Sequence, residues 1–284
     1  MRTPLIFAAL TLTLAACSQT VVPPAGTLAY GLNTGGQLVT FGLDNAGSSA
    51  STRAITGADG ETLVDLDFNP NNAALYAFAA SSKVYTVDVS SGAATLNTTP
   101  MTALSAAKTD FNPAANRVRV FDGSANNFRL TVTPGPATSA TGTVTTDGKL
   151  TYATTDTNAG KTPNLVGAAY TNSYANGGAA PASTALYSVD ASTNTLNMHS
   201  SAALSTPAGN FSTVTTVGGL GVALTGNVGF DIVTRGGTTA TPTDAAYLVN
   251  DRTLYTVSLT TGAATQVATL STTLKALAVA LPTQ

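Results

Sequence analysis

The sequence predicts an all-β chain folded as a β-propeller of five four-stranded blades, with the C-terminal strand closing the first blade. A six-bladed propeller and an irregular β-repeat are the alternatives. Three observations carry this. A strand–turn pattern recurs along the chain. Its first spacings match the roughly 40–45 residues of a four-stranded blade. Charged residues make up only 9% of the 284 residues, against about 25% in an average protein, and Thr, Ala, Ser, Gly and Asn take their place.

The chain begins with a basic Met1-Arg2 and a short apolar run, Leu5 to Ala16, closed by Leu14-Ala15-Ala16-Cys17. The run is too short for a bilayer span, which needs roughly 20 apolar residues. A positive start, a short apolar core and small residues before the cut define an export signal. Residues 1–16 therefore read as a lipoprotein signal peptide. Cys17, the single cysteine, reads as the lipidated first residue of the mature chain. A lone cysteine in an exported protein is otherwise a free thiol or half of an intermolecular bridge. Ser18 in place of Asp indicates the outer membrane if the cell is Gram-negative. Residues 17–26, with Pro23-Pro24, read as a lipidated tether, and residues 27–284 as one propeller domain. Removing Arg2 leaves 11 basic against 14 acidic residues, a formal charge of −3. No basic cluster is present, which excludes nucleic acid as a partner.

The clearest repeat unit runs from Leu63-Val64-Asp65-Leu66-Asp67-Phe68-Asn69-Pro70 through Ala74 to Phe78 and Lys83 to Val89, then the Ser90-Ser91-Gly92 turn and Ala93 to Leu96. Asp110-Phe111-Asn112-Pro113 followed by Arg117 to Phe121 repeats its opening, and Leu254 to Leu259 with Thr261 to Thr265 repeats its close. With the third-strand aromatic as marker, Phe41, Tyr85, Phe128, Tyr187 and Tyr255 are separated by 44, 43, 59 and 68 residues. The two longer intervals contain loop-like insertions at Tyr174–Thr184 and Thr234–Thr243, whose Gly, Pro and Thr content argues against strand interiors. In Val84 to Val89 neither face is strongly polar, as expected for a small sheet packed on both sides. Pairs such as Gly35-Gly36, Ser91-Gly92 and Asp147-Gly148 are expected to supply hairpin turns. Leu274 to Leu281 looks like a first strand and Thr27 to Gly31 like a second, so the chain end is expected to complete blade 1 and remove free sheet edges.

These strings resemble an uncharacterised bacterial envelope-protein family, a domain of unknown function. The resemblance is strong around Leu63–Thr95 and Leu254–Thr265. It implies an exported, propeller-like protein and brings no activity and no catalytic residues.

The chemistry-bearing residues are few. His199 is the one histidine. It is expected at the surface, at a strand end before a Ser-rich loop. A Ser-His-Asp arrangement needs a histidine held beside both partners, and zinc normally takes several Cys or His ligands. No catalytic residue is assigned. Asp67 and Asp110 share a repeat position, and Asp231 matches them, so the three are expected to meet around the axis. There they either line a channel and hold Ca²⁺, which favours several oxygen ligands, or cap turns and accept backbone hydrogen bonds from the next blade. No cofactor is expected otherwise. The tyrosines at repeat positions are expected in the inter-blade core. Tyr170 and Tyr174, beside Asn172 and a Gly-rich loop, are the candidates for an exposed binding patch. The function expected is a monomeric, lipid-anchored binding or scaffold module at the cell envelope, with a protein or glycan partner. The alternative is a metal-assisted hydrolase or lyase acting on a lactone or glycan from the channel.

Overall fold

The computed structural model describes residues 22–135, 139–200, 210–236 and 242–282. The signal peptide, Cys17 and the start of the tether lie outside the described residues. So does the middle of the Thr234–Thr243 insertion.

Five antiparallel sheets stand around one axis. Blade 1 is ordered β21 (Leu274–Val279), β1 (Leu28–Asn33), β2 (Leu38–Gly42), β3 (Ser51–Arg53) from the inside out. Blade 2 is β4 (Leu63–Phe68), β5 (Leu75–Ala79), β6 (Val84–Val87), β7 (Ala94–Thr98). Blade 3 is β8 (Lys108–Asn112), β9 (Arg117–Phe121), β10 (Asn126–Leu130), β11 (Val144–Lys149). Blade 4 is β13 (Leu165–Tyr170), β14 (Leu186–Asp190), β15 (Thr195–Ser200), β16 (Thr213–Gly219). A two-residue strand, β12 (Thr151–Tyr152), adds to its outer edge in parallel with β16. Blade 5 is β17 (Val228–Arg235), β18 (Thr243–Asn250), β19 (Thr253–Val257), β20 (Ala264–Thr269). The C-terminal strand β21 pairs with β1 from Ala29↔Val279 to Asn33↔Leu274, so the last strand closes the first blade as the sequence predicts.

The inner strands contact one another in the cycle β4, β8, β13, β17, β21. Because successive side chains alternate, each inner strand feeds one face to the blade before it and one to the blade after it. The result is five apolar clusters, one in each blade–blade interface. Leu66 and Phe68 of β4 join Ala276 and Ala278 of β21. Leu277 and Val279 join Val233 and Val249 of blade 5. Tyr76 and Phe78 pack on Phe111. Burial of about 25 cal/mol per Å² of apolar surface is thus spread over interfaces rather than gathered in one centre. That is why the two-sided apolar strands of the sequence are satisfied.

Two inner-strand glycines set the spacing. A Cβ on Gly229 would lie 2.5 Å from Ala276 C and Leu277 N, and one on Gly167 would lie 2.6 Å from the Phe230 Cβ. These are the contacts by which blades 4, 5 and 1 approach the axis. The end of the tether is docked on blade 1: Ala25 N–H donates to Asn45 Oδ1 at 2.9 Å and Asn45 Nδ2 donates to Pro23 O at 2.9 Å.

Blade 4 departs from the expected register. Tyr187 lies on β14, which pairs on one side with β13 and on the other with β15. It is therefore a second-strand residue, and the third strand of this blade is β15. The string Leu186-Tyr187-Ser188-Val189-Asp190 matches the third-strand motif in composition, and alternation alone does not separate two adjacent strands that are both buried on two sides.

A candidate functional site on the propeller axis

The third and fifth residues of β4, Asp65 and Asp67, face blade 3. Asp67 Oδ2 accepts a hydrogen bond from Phe111 N–H at 2.6 Å, and Asp65 Oδ2 accepts one from Thr109 N–H at 2.8 Å. One blade further, Asp110 Oδ1 accepts from Tyr170 N–H at 3.0 Å. Asp231 Oδ2 accepts from Val279 N–H of blade 1 at 2.6 Å, while its Oδ1 accepts from Ile232 N–H at 2.6 Å. Each carboxylate therefore latches its blade to the next through a backbone donor, the second of the two roles expected for a structural aspartate. At the same repeat position blades 4 and 1 carry Ala169 and Ala278, the residues before Tyr170 and Val279.

The three latches converge. One carboxylate oxygen from each of Asp67, Asp110 and Asp231 lies within 4.8 Å of the others, and all three residues are buried. Burial, reinforced by the neighbouring carboxylates, holds Asp67 and Asp110 well above the usual carboxylate range. Burial pushes Asp231 up to about 7, opposed by its two backbone donors. Like charges this close do not all ionise together, so the triad retains protons near neutral pH. The donor set is all oxygen, the chemistry calcium takes. Three monodentate ligands are half of its usual coordination or less, so a bound ion would keep several waters.

Above the triad, where the inner strands begin, Lys108 crosses the axis. Its Nζ donates to Val228 O at 2.6 Å and to Lys275 O at 2.7 Å, joining blades 3, 5 and 1. Burial lowers the Lys108 pKa against the attraction of Asp65. Burial also lowers that of Lys275, and the Lys108 charge adds to the effect. A cavity of about 370 Å³ opens over this crossbar. Its walls come from all five blades: Val64, Ala107 and Lys108, Leu165, Asn227, and Lys275. Reasoning from the sequence missed both lysines. Lys108 sits two residues before Asp110 on the same inner strand, and Lys275 is the one charge in an otherwise apolar strand. Those placements are the signal available.

Two expected surface features are corrected. His199 is fully buried. Its Nδ1 lies 2.9 Å from Phe211 O and its Nε2 lies 2.8 Å from Ser188 Oγ, with the ring stacked on Phe121. A carbonyl only accepts, so Nδ1 carries the proton and Nε2 accepts from the serine. Burial lowers the pKa to about 4, and the histidine is a neutral core residue. Tyr170, expected on an exposed patch with Asn172 and Tyr174, is 1% exposed. Its hydroxyl accepts from Arg119 Nε at 3.0 Å, in a buried network where Arg119 Nη1 also reaches Asp147 Oδ2 and Asn127 Oδ1. The side chain turns inward because its strand is the innermost of blade 4. Asn172 and Tyr174 are half-buried. Asn172, at φ 58°, is tied down by Asp244 Oδ1 and Ser183 O.

Comparison with known proteins adds the following. A crystal structure of a nidogen/laminin complex is similar at 12% identity and a TM-score of 0.46, over 90% of this chain and 98% of that one. A structural-genomics protein of unknown function from Bacteroides thetaiotaomicron is similar at 12% identity and a TM-score of 0.43, over 86% of this chain and 57% of that one. The WD40 repeats of RRP9 follow at 12% identity and a TM-score of 0.38, over 75% and 52% of the two chains. No curated protein matches the sequence. Residues 37–280 match a domain of unknown function, DUF4394, and the chain, an all-β five-bladed propeller, belongs to this family.

Proposed function

We propose that the protein is an envelope-anchored lipoprotein whose propeller is a binding module, with the axial mouth as its binding site. The observation that carries the binding reading is the cavity over Lys108, to which all five blades contribute. Convergent walls around a few polar groups are the usual form of a ligand site. The anchor rests on Leu14-Ala15-Ala16-Cys17. Among the described residues no helix is long and apolar enough to cross a membrane. The test is mass spectrometry of the mature N-terminus together with fractionation. A lipid on Cys17 is expected, and Cys17→Ser is expected to move the protein from the membrane to the soluble fraction. An unmodified Cys17 in mature protein overturns the anchor.

The second reading, favoured by the convergence of Asp67, Asp110 and Asp231, places a calcium ion at the triad, with hydrolase or lyase chemistry on a lactone or glycan. A ligand that binds only the folded state raises stability by mass action. Under this reading calcium raises the melting temperature and Asp67→Ala abolishes the increment. An unchanged melting temperature with calcium or chelator removes it and leaves the carboxylates as latches alone.

A further inference from the structure

We propose that the axial mouth selects a small organic carboxylate with a short aliphatic body. The inference rests on the binding-module reading and names its ligand class. Charge at the mouth supports it. Lys275 sits half-buried at the junction of the axial cavity and a neighbouring depression of about 290 Å³. Among the described residues no ion pair joins it to a carboxylate. Two carboxylates line the same depression: Asp59, exposed, and Glu61, held by Lys83 at 2.8 Å. Lys108 lies directly below, spending two donors on the carbonyls of Val228 and Lys275. Its one nearby carboxylate, Asp65, is occupied by the Thr109 and Leu66 N–H groups. Lys108 is thus held out of bulk water beside a half-buried Lys275, and Asp65 is the carboxylate that acts on Lys108.

An ammonium drawn out of water without a partner is costly, and a charge-assisted bond to an anion relieves that cost. The walls decide what the anion carries. Val64, Leu165 and Val166 face the cavity as aliphatic surface. Its volume of about 370 Å³ lies near the lower end of the roughly 300–1,000 Å³ of small-molecule sites. A carboxylate directed at Lys275, with a few methylenes against those side chains, satisfies both halves of the site. A bare inorganic anion leaves the apolar half wet.

The test uses hexanoate, with hexanamide as its uncharged counterpart, on the intact mature protein. Expected is binding of hexanoate alone, with NMR shifts confined to residues lining the mouth. Lys275→Met should weaken binding about tenfold, the equivalent of one charge-assisted contact, and leave the melting temperature unchanged. Lys275→Arg, which keeps the charge, should retain the affinity. Equal binding of hexanamide, no binding of hexanoate, or full affinity in Lys275→Met overturns the proposal. A failure here with lipidated Cys17 removes the ligand class and leaves the anchored module standing. Hexanoate binding with an unmodified Cys17 does the reverse.

Discussion

Asp67 has two duties that pull its ionisation in opposite directions. As a latch it accepts the Phe111 N–H at 2.6 Å, which favours the carboxylate. As one of three buried acids it is driven toward the neutral form, first by burial and then by Asp231. The second influence wins, and the consequence is a stability that depends on pH. A carboxyl whose folded pKa is raised binds its proton more tightly folded than unfolded, so it loses stability as pH rises from its unfolded value toward its folded one. For Asp231 that window runs from 3.8 to about 7, and for Asp67 and Asp110 it also starts at 3.8 and rises well above it. His199 acts in the opposite sense. Lowered from 6.5 to about 4, it costs stability only as pH falls below 6.5. Between pH 6.5 and about 7 His199 no longer contributes while the Asp231 window is still open, so the melting temperature is expected to fall as pH rises through neutrality. Asp67→Asn keeps an acceptor for Phe111 and removes one ionisation. It should flatten this slope and raise the melting temperature at the alkaline end. One pKa unit corresponds to about 1.4 kcal/mol, and 1 kcal/mol to about 2–4 °C for a domain of this size. A slope identical in wild type and variant, followed by calorimetry, contradicts the assignment.

At the scale of the strand, what was legible followed from repetition. The Leu63–Pro70 and Asp110–Pro113 strings placed β4 and β8 as equivalent inner strands, and equivalence alone put Asp67, Asp110 and Asp231 around one axis. What failed was telling neighbours apart. Tyr187 belongs to β14 rather than to a third strand, because buried strands on both sides of a hairpin share one composition. Asp147-Gly148 resembles a turn and lies within β11, where Asp147 ion-pairs with Arg129 and Arg119. His199 and Tyr170 read as exposed from their flanking Ser and Gly residues, yet both lie on strands whose side chains the preceding blade covers. Polar flanks report the loop and say nothing of the face. The two lysines went unread for a related reason: Lys108 crosses to carbonyls of two other blades, 120 and 167 residues away in sequence, and no local pattern encodes that reach.

At the scale of the whole molecule the ring exists only once β21 is in place. This strand gives blade 1 its innermost member through pairing with β1, and it supplies Leu277 and Val279 to the interface with blade 5 and Ala276 and Ala278 to that with blade 2. It also offers Val279 N–H to Asp231 and Lys275 O to Lys108, so one strand terminates both the carboxylate latches and the ammonium crossbar. The sequence made this closure legible because Leu274–Leu281 reads as a first strand with no partner nearby in the chain. Removing residues 274–284 therefore does more than shorten a blade. It opens the edges of β1 and uncovers β4 and β17, leaving Asp231 without its cross-blade donor and Lys108 with one acceptor fewer. Buried groups left without partners cost about 1–3 kcal/mol each, and two lost interfaces of apolar packing add to that, against a total stability of only about 5–15 kcal/mol for a typical protein. The truncated chain is expected to lose cooperative thermal unfolding and to aggregate through its open edges, as read by calorimetry and size-exclusion chromatography. A truncated protein that remains monomeric with the melting temperature of the full chain would show that the first blade holds without its closing strand.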